Sequence, residues 1–161
     1  ESRGLGDVYK RQALFDLGGY ASRFQRDLLK KIYSDNPKLN FWHFGDIDAG
    51  GLYIHEHLCR VTEIPFRLYR MSRRELESPN FQTCLKPLTQ QDRIRLKSLE
   101  KRKEYRELVT YMLEHNVKLE QEIVSFYEMV TSAEMEGKEQ EAVHIKSINN
   151  EKVQTKKRKG E

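Results

Sequence analysis

Short apolar runs alternate along this chain with stretches in which apolar residues recur at helical spacing. ALFDL, from Ala13 to Leu17, is apolar over a strand's length and stops at Gly18-Gly19, so it predicts a strand. In the following YASRFQRDLLKKIYSDNP, Phe24, Leu28, Leu29 and Ile32 sit at helical spacing with basic residues between them. Asp35-Asn36-Pro37 ends that helix. Asn40 to Gly45 predicts a second strand, and GGLYIHEHLCRV a helix in which Leu52, Ile54, Leu58 and Val61 are only partly in register. Pro65 to Tyr69 predicts a third strand. Strand, helix, strand, helix, strand with short connections is the pattern of a parallel sheet with crossover helices.

The pattern changes after Met71. SRRELESPNFQTCLKPLTQQD, with two prolines, reads as a linker. From Thr89 onward the chain is helical, with Thr89 as N-cap and Asp92 as its capping-box partner. Ile94, Leu96 and Leu99, then Leu108, Tyr111, Met112 and Leu113, then Leu119, Ile123, Phe126 and Tyr127 give apolar faces to two or three helices. The apolar face thins beyond Ala133, and the ending VQTKKRKGE reads as a solvated, disordered basic tail. ESRGLGDVYKRQ at the start follows neither periodicity and is set aside as a non-native or disordered leader. The expected organisation is therefore a leader over 1–12, an α/β domain with C-terminal helices over 13–131, and a charged tail over 132–161. No internal repeat is visible.

Composition narrows this picture only a little. The 161 residues are 37% hydrophobic and 34% charged, which allows one small core. A net charge of +4 is small against 29 basic and 25 acidic side chains, so its distribution matters more. Between Arg60 and Arg74 stand Arg60, Arg67, Arg70, Arg73 and Arg74 against the single acid Glu63. Cys59 and Cys84 have neither metal-ligand spacing nor a disulfide framework. No run approaches the roughly 18 apolar residues of a membrane span, and no signal-peptide core appears. A cytoplasmic protein without a membrane partner is the expectation.

The candidate chemistry lies at the end of the second strand, in FWHFGDIDAGG. Ligands of open parallel sheets sit beyond the carboxyl ends of the strands. Asp46 and Asp48 stand there at i and i+2, on one side of an extended chain and about 6.5 Å apart. At an effective dielectric near 20 their repulsion is roughly 2.5 kcal/mol, which a hard divalent cation would offset. Gly50 and Gly51 open the next helix without side chains, where free N–H groups favour a phosphate. A metal beside such a helix start suits phosphodiester chemistry. An equally open reading makes Asp48 a plain N-cap and Asp46 a surface turn residue.

Other motifs fit less well. A calcium loop beginning at Asp46 would place His57 where a bidentate glutamate belongs. A haloacid-dehalogenase phosphatase would have threonine or valine in place of Gly50 and a downstream acidic pair. A zinc site from His43, His55 and His57 is a weak match because His55 and His57, two apart on a predicted helix, diverge, and surface or half-buried histidines are the simpler reading.

Five ordered segments resemble a known family: GGYASRFQRDLLKKI, FWHFGDIDAGGLYIHEHL, LYRMSRREL, KPLTQQDRIRL and KLEQEIV. Over roughly residues 13 to 128 they are similar to the Toprim-containing C-terminal domain of JetD, the nuclease component of the Wadjet defence system. Asp46-Ile47-Asp48-Ala49-Gly50-Gly51 also echoes the D-x-D-P-x-G motif of topoisomerase VI. The resemblance implies a Toprim fold, a parallel sheet flanked by helices, and DNA cleavage dependent on Mg2+ or Mn2+ with Asp46 and Asp48 as catalytic metal ligands. It implies double-stranded, circular plasmid DNA as substrate, an SMC-type complex as partner, and a homodimer.

One departure from the family concerns the glutamate that ends the first Toprim strand. That strand would precede Ala13, and Glu1 is no substitute, so the expectation is a C-terminal fragment with an incomplete metal site, inactive by itself. Lys118 to Glu122 falls on a predicted helix, where Glu120 or Glu122 could serve as an outer-shell acid, or Glu122 could simply pair with Lys118. Arg67, Arg70, Arg73 and Arg74 are the candidate contacts to the DNA backbone, against the alternative of an ordinary solvated face. Tyr20 and Arg23 could face the same sheet edge. The competing function is a non-catalytic DNA- or partner-binding module with a degenerate Toprim site.

Overall fold

Helix α1, Arg23–Asp35, begins at a reciprocal cap: the Ser22 hydroxyl accepts from the Gln25 N–H while the Gln25 side chain accepts from the Ser22 N–H. It ends where the Asn36 N–H reaches back to the carbonyls of Ile32 and Tyr33, one residue before Pro37. The structure, a computed structural model, describes residues 17–132. The predicted strand over Ala13 to Leu17 lies outside them except for Leu17, as do the leader and the basic tail.

Strand β1, Trp42–His43, and strand β2, Arg67–Leu68, pair in parallel, Trp42 opposite Arg67 and His43 opposite Leu68. Helix α2, Ala49–Thr62, is the crossover between them. The described residues thus form a mixed, mainly helical α/β fold with a small two-stranded parallel sheet. Leu52, His55, Leu58 and Thr62 form the buried face of α2. A histidine in that stripe is why its hydrophobic periodicity is only partial. Leu29 of α1 meets Leu58 and Ile64 in a small core, with Phe41 and Phe66 at its margin; each fully buried leucine there contributes about 2 kcal/mol.

The run after Met71 is packed structure rather than a linker. Ser72 and Glu75 form a capping box that opens α3, Arg73–Glu77, and a 3-10 turn follows at Gln82–Cys84. Leu76, Phe81 and Leu88 from this run are buried in the main core with Ile47, Leu96, Val109 and Met112. The Thr89–Asp92 capping box starts α4, Gln90–Leu99, as expected. Helix α5, Arg106–His115, ends at Asn116 in the left-handed region.

Lys118 and Leu119 are extended, not helical. Lys118 bridges antiparallel to Lys86, and Leu119 to Ile47. The last helix starts only at 121 and runs to 132. The Ile47–Leu119 bridge ties the motif segment to the stretch that leads into the last helix. No helix of the described residues is long and apolar enough to cross a membrane.

Candidate functional site

From Phe41 to Ala49 burial alternates with the period of an extended chain. His43, Gly45, Ile47 and Ala49 are buried, while Trp42, Phe44, Asp46 and Asp48 lie on the other side. Both aspartates are half-buried and share the more open face. Ile47 between them is anchored to Leu119 through backbone hydrogen bonds of 2.8 and 3.2 Å.

Each carboxylate already holds a backbone N–H. Asp48 caps α2, its Oδ1 accepting from the Gly51 N–H at 2.7 Å. The Oδ1 of Asp46 accepts from the N–H of Gln121 at 2.8 Å, at the start of the last helix and 75 residues away in sequence. Each carboxylate therefore meets the positive end of a helix, which eases the repulsion between them without any ion. Lys118 adds positive charge nearby: its ammonium donates to Asp92 Oδ2 at 2.8 Å, which raises its pKa, and Asp48 and Glu120 raise it further. Burial works to raise the Asp92 pKa, but hydrogen bonds from Lys118 and Thr89 outweigh it and hold the carboxyl below its usual range. Lys118 thus pairs with Asp92, not with Glu122.

The glycines divide by role. A Cβ on Gly51 would lie 2.1 Å from the Asp46 carbonyl oxygen, so a buried glycine is required for α2 to pass that close to the motif. On Gly50, half-exposed, the nearest atoms a Cβ would meet among the described residues are those of the Asp48 carboxylate, from 3.2 Å. The Gly51 N–H is taken up by Asp48, so of the two positions Gly50 is the more approachable.

The structure disperses the remaining predicted residues. Glu120 is exposed and ion-paired with Lys86. Glu122 is exposed on the first turn of the last helix. Arg70, in the left-handed region at φ +52°, pairs with Glu128 at 2.6 Å and with buried Glu75 at 3.4 Å. Those pairs offset the backbone cost of that conformation. Arg73 pairs with Glu77 at 2.7 Å and lies over the Tyr111 ring. Arg74 is exposed, and the Arg67 guanidinium sits 5.5 Å above the centre of the Trp42 ring. Arg70, Arg73 and Arg74 line a cavity of about 650 Å3 that also receives Glu75, Glu104 and Glu107, so its charge is mixed. Tyr20 turns away to stack edge-on against His57, and exposed Arg23 pairs loosely with Asp27 at 3.9 Å.

The three histidines do not converge. His57 is half-buried beside Arg60. His55 is buried, its Nε2–H donating to the Phe66 carbonyl at 3.0 Å and its Nδ1 accepting from the Tyr105 hydroxyl at 2.6 Å. Burial lowers its pKa, which favours the neutral ring, and the Phe66 carbonyl, an acceptor, sets the proton on Nε2. His43 stacks 5.6 Å from His55 and, among the described residues, has no hydrogen-bond partner for Nδ1. Burial, aided by His55, brings its pKa down to about 4. Tyr105, 50 residues from His55, carried no sequence signal for this role. Nor did Gln121, whose contribution is a backbone N–H that any residue but proline could supply. No group of three or more His, Cys, Asp or Glu side chains among the described residues could hold a metal.

A two-stranded parallel sheet, a crossover helix opened by aspartate and glycine, and paired carboxylates past the end of the first strand define an α/β domain with an acidic strand-end motif. Residues 12–133 match the family described as Wadjet protein JetD, C-terminal, and the chain belongs to that family. No curated protein and no solved structure matches it.

Proposed function

We propose that this chain carries the Toprim-like catalytic portion of a divalent-metal-dependent endonuclease that cuts foreign circular DNA within an SMC-type Wadjet complex. The observation that carries the reading is the placement of Asp46 and Asp48 on one open face beyond β1, each with one oxygen engaged by a helix N–H. Their remaining oxygens are hard donors. Mg2+ is commonly bound by one or two carboxylates with substrate phosphates completing the shell, so this pair fits Mg2+ or Mn2+. Bound there, such an ion would polarise a phosphoryl oxygen and organise the attacking group.

The chain's own residues supply position and charge. The helix N–H groups at Gly51 and Gln121 keep both carboxylates from turning away. Exposed Arg67 and Arg74 are the cations open to DNA phosphates, whereas Arg70 and Arg73 contribute through ion-paired surfaces. Glu122, next to Gln121, is the better outer-shell acid, because Lys86 already occupies Glu120. Two-strand cutting calls for two sites, hence a homodimer, and the cytoplasm is where incoming plasmids are met.

The test is cleavage of supercoiled plasmid by the full-length protein with its SMC-type partners in Mg2+ or Mn2+. Loss of cutting in both Asp46→Ala and Asp48→Ala supports the reading. The second reading, a binding module without chemistry, is favoured by one observation: both carboxylates already cap helices. It takes over if the complete assembly binds DNA and never cuts.

A further inference from the structure

The open side of the motif segment carries more than its aspartates. Trp42 is 51% exposed and Tyr69, on the neighbouring strand, 43% exposed. Their rings meet edge-to-face at 6.4 Å, and Phe44 continues the row at 5.8 Å from Tyr69. Arg67, opposite Trp42 in the sheet register, lays its guanidinium over the Trp42 ring. Sheet faces covered by helices are rich in Val, Ile and Leu. This one instead presents aromatic rings and a cation.

We propose that Trp42, Tyr69 and Arg67 form a stacking platform for unpaired nucleobases of the DNA strand that reaches Asp46 and Asp48. Its placement beside the cutting site rests on the function proposed above; its capacity to bind single strands does not. Aromatic faces beside cations bind single-stranded DNA because every base offers a π-face and every linkage a negative charge. The platform and the carboxylates lie on one side of one segment. From Trp42 to Asp46 is four residues, roughly 13 Å of extended chain, a span of a few nucleotides. A strand stacked on Trp42 would therefore run along the segment toward the carboxylates. Arg67 stays exposed above the ring and can meet phosphate there.

Trp42 is the protein's single tryptophan, so its fluorescence reports on this face alone. The experiment titrates the 161-residue chain with a twelve-nucleotide single strand, an abasic strand of equal length, and a duplex. The expected result is quenching by the single strand and not by the abasic one. In anisotropy with labelled strands, Trp42→Ala should weaken single-strand binding by about tenfold or more. Abasic binding should stay unchanged and Trp42→Phe should recover part of the loss. Circular dichroism on each variant checks that it folds. Equal binding of base-bearing and abasic strands overturns the proposal, as does unchanged affinity in Trp42→Ala. Fluorescence that shifts with protein concentration alone, together with a dimer in ultracentrifugation, assigns the face to a second copy and also overturns it. Quenching by the single strand, together with a full-length assembly that binds plasmid and never cuts it, would sink the nuclease reading and keep the platform. Aspartate-dependent cutting with Trp42→Ala binding as wild type would do the reverse.

Discussion

The two sides of the segment from Phe41 to Ala49 differ in what they are made of and in what they can tolerate. One side, with His43, Gly45, Ile47 and Ala49, is buried against α2 and the main core. On the other, Trp42 meets solvent, Asp46 and Asp48 meet the starts of helices, and half-buried Phe44 leans on the edge of the main core. Neighbouring residues thus answer to opposite demands. The buried side holds the segment's position through packing, and that fixed position allows the open side to keep two carboxylates and the Trp42 ring facing outward. Fold and chemistry are separated here by one residue of register.

Substitutions on either side should break this contrast unequally. The largest effect belongs to the close approach beneath the motif. Gly51→Ala forces a methyl against the Asp46 carbonyl and should cost more than about 3 kcal/mol, read as a lower denaturation midpoint in urea. A midpoint within experimental error of wild type would show that α2 can shift at no cost. Gly50→Ala, one residue away, is the control: alanine's helix preference opposes a methyl contact with the Asp48 carboxylate at 3.2 Å, so it should stay within about 1 kcal/mol of wild type.

Acid probes the buried side next. The His43 ring titrates near 4 in the folded protein against an ordinary value of 6.5. Between those values the unfolded chain binds more protons than the folded one. Stability from this group is therefore complete above about pH 6.5, falls as pH drops toward 4, and levels off below. The loss is on the order of 3 kcal/mol. His55, lowered too, adds in the same direction. Comparing urea midpoints at pH 7 and pH 4.5 for wild type and His43→Phe isolates the effect, since phenylalanine takes no proton. Parallel acid losses in the two proteins would remove His43 from the account.

The open side should be cheaper in stability and dearer in function. Asp48→Ala removes a helix cap worth about 1 kcal/mol and should abolish plasmid cleavage; a folded variant that still cuts would return Asp48 to a purely structural role. Smallest is Trp42→Ala, expected to shift stability by under about 1 kcal/mol. A larger shift on thermal melting would mean that this face is packed rather than open.

Much of the fold was legible because it is local. The α1 helix, the two strands around the crossover and the Thr89–Asp92 cap follow from periodicity and capping chemistry within a few residues. The run after Met71 misled because its prolines suggested a linker, although Ser72 and Glu75 spell a capping box and Leu76 and Phe81 are buried. KLEQE misled the other way. Its composition favours helix, but Lys118 and Leu119 find strand-like partners in Lys86 and Ile47, and tertiary pairing overrides propensity. The candidate site was half visible: the spacing of Asp46 and Asp48 implied a shared face and Arg73 stands four residues from Glu77, while nothing beside Arg70 gave a sign that Glu128, 58 residues on, would hold it.

By itself, then, the sequence determined the elements whose causes lie within a turn or two of chain: caps, strand alternation, the crossover helix and the family. The tertiary structure alone decided that Asp46 caps a helix starting at Gln121, that His55 is locked by Tyr105, and that Lys118 belongs to Asp92. Each of those bonds joins residues 26 to 75 positions apart. Side-chain pairing at such separations depends on the path of the whole chain, and no local pattern of residues encodes it.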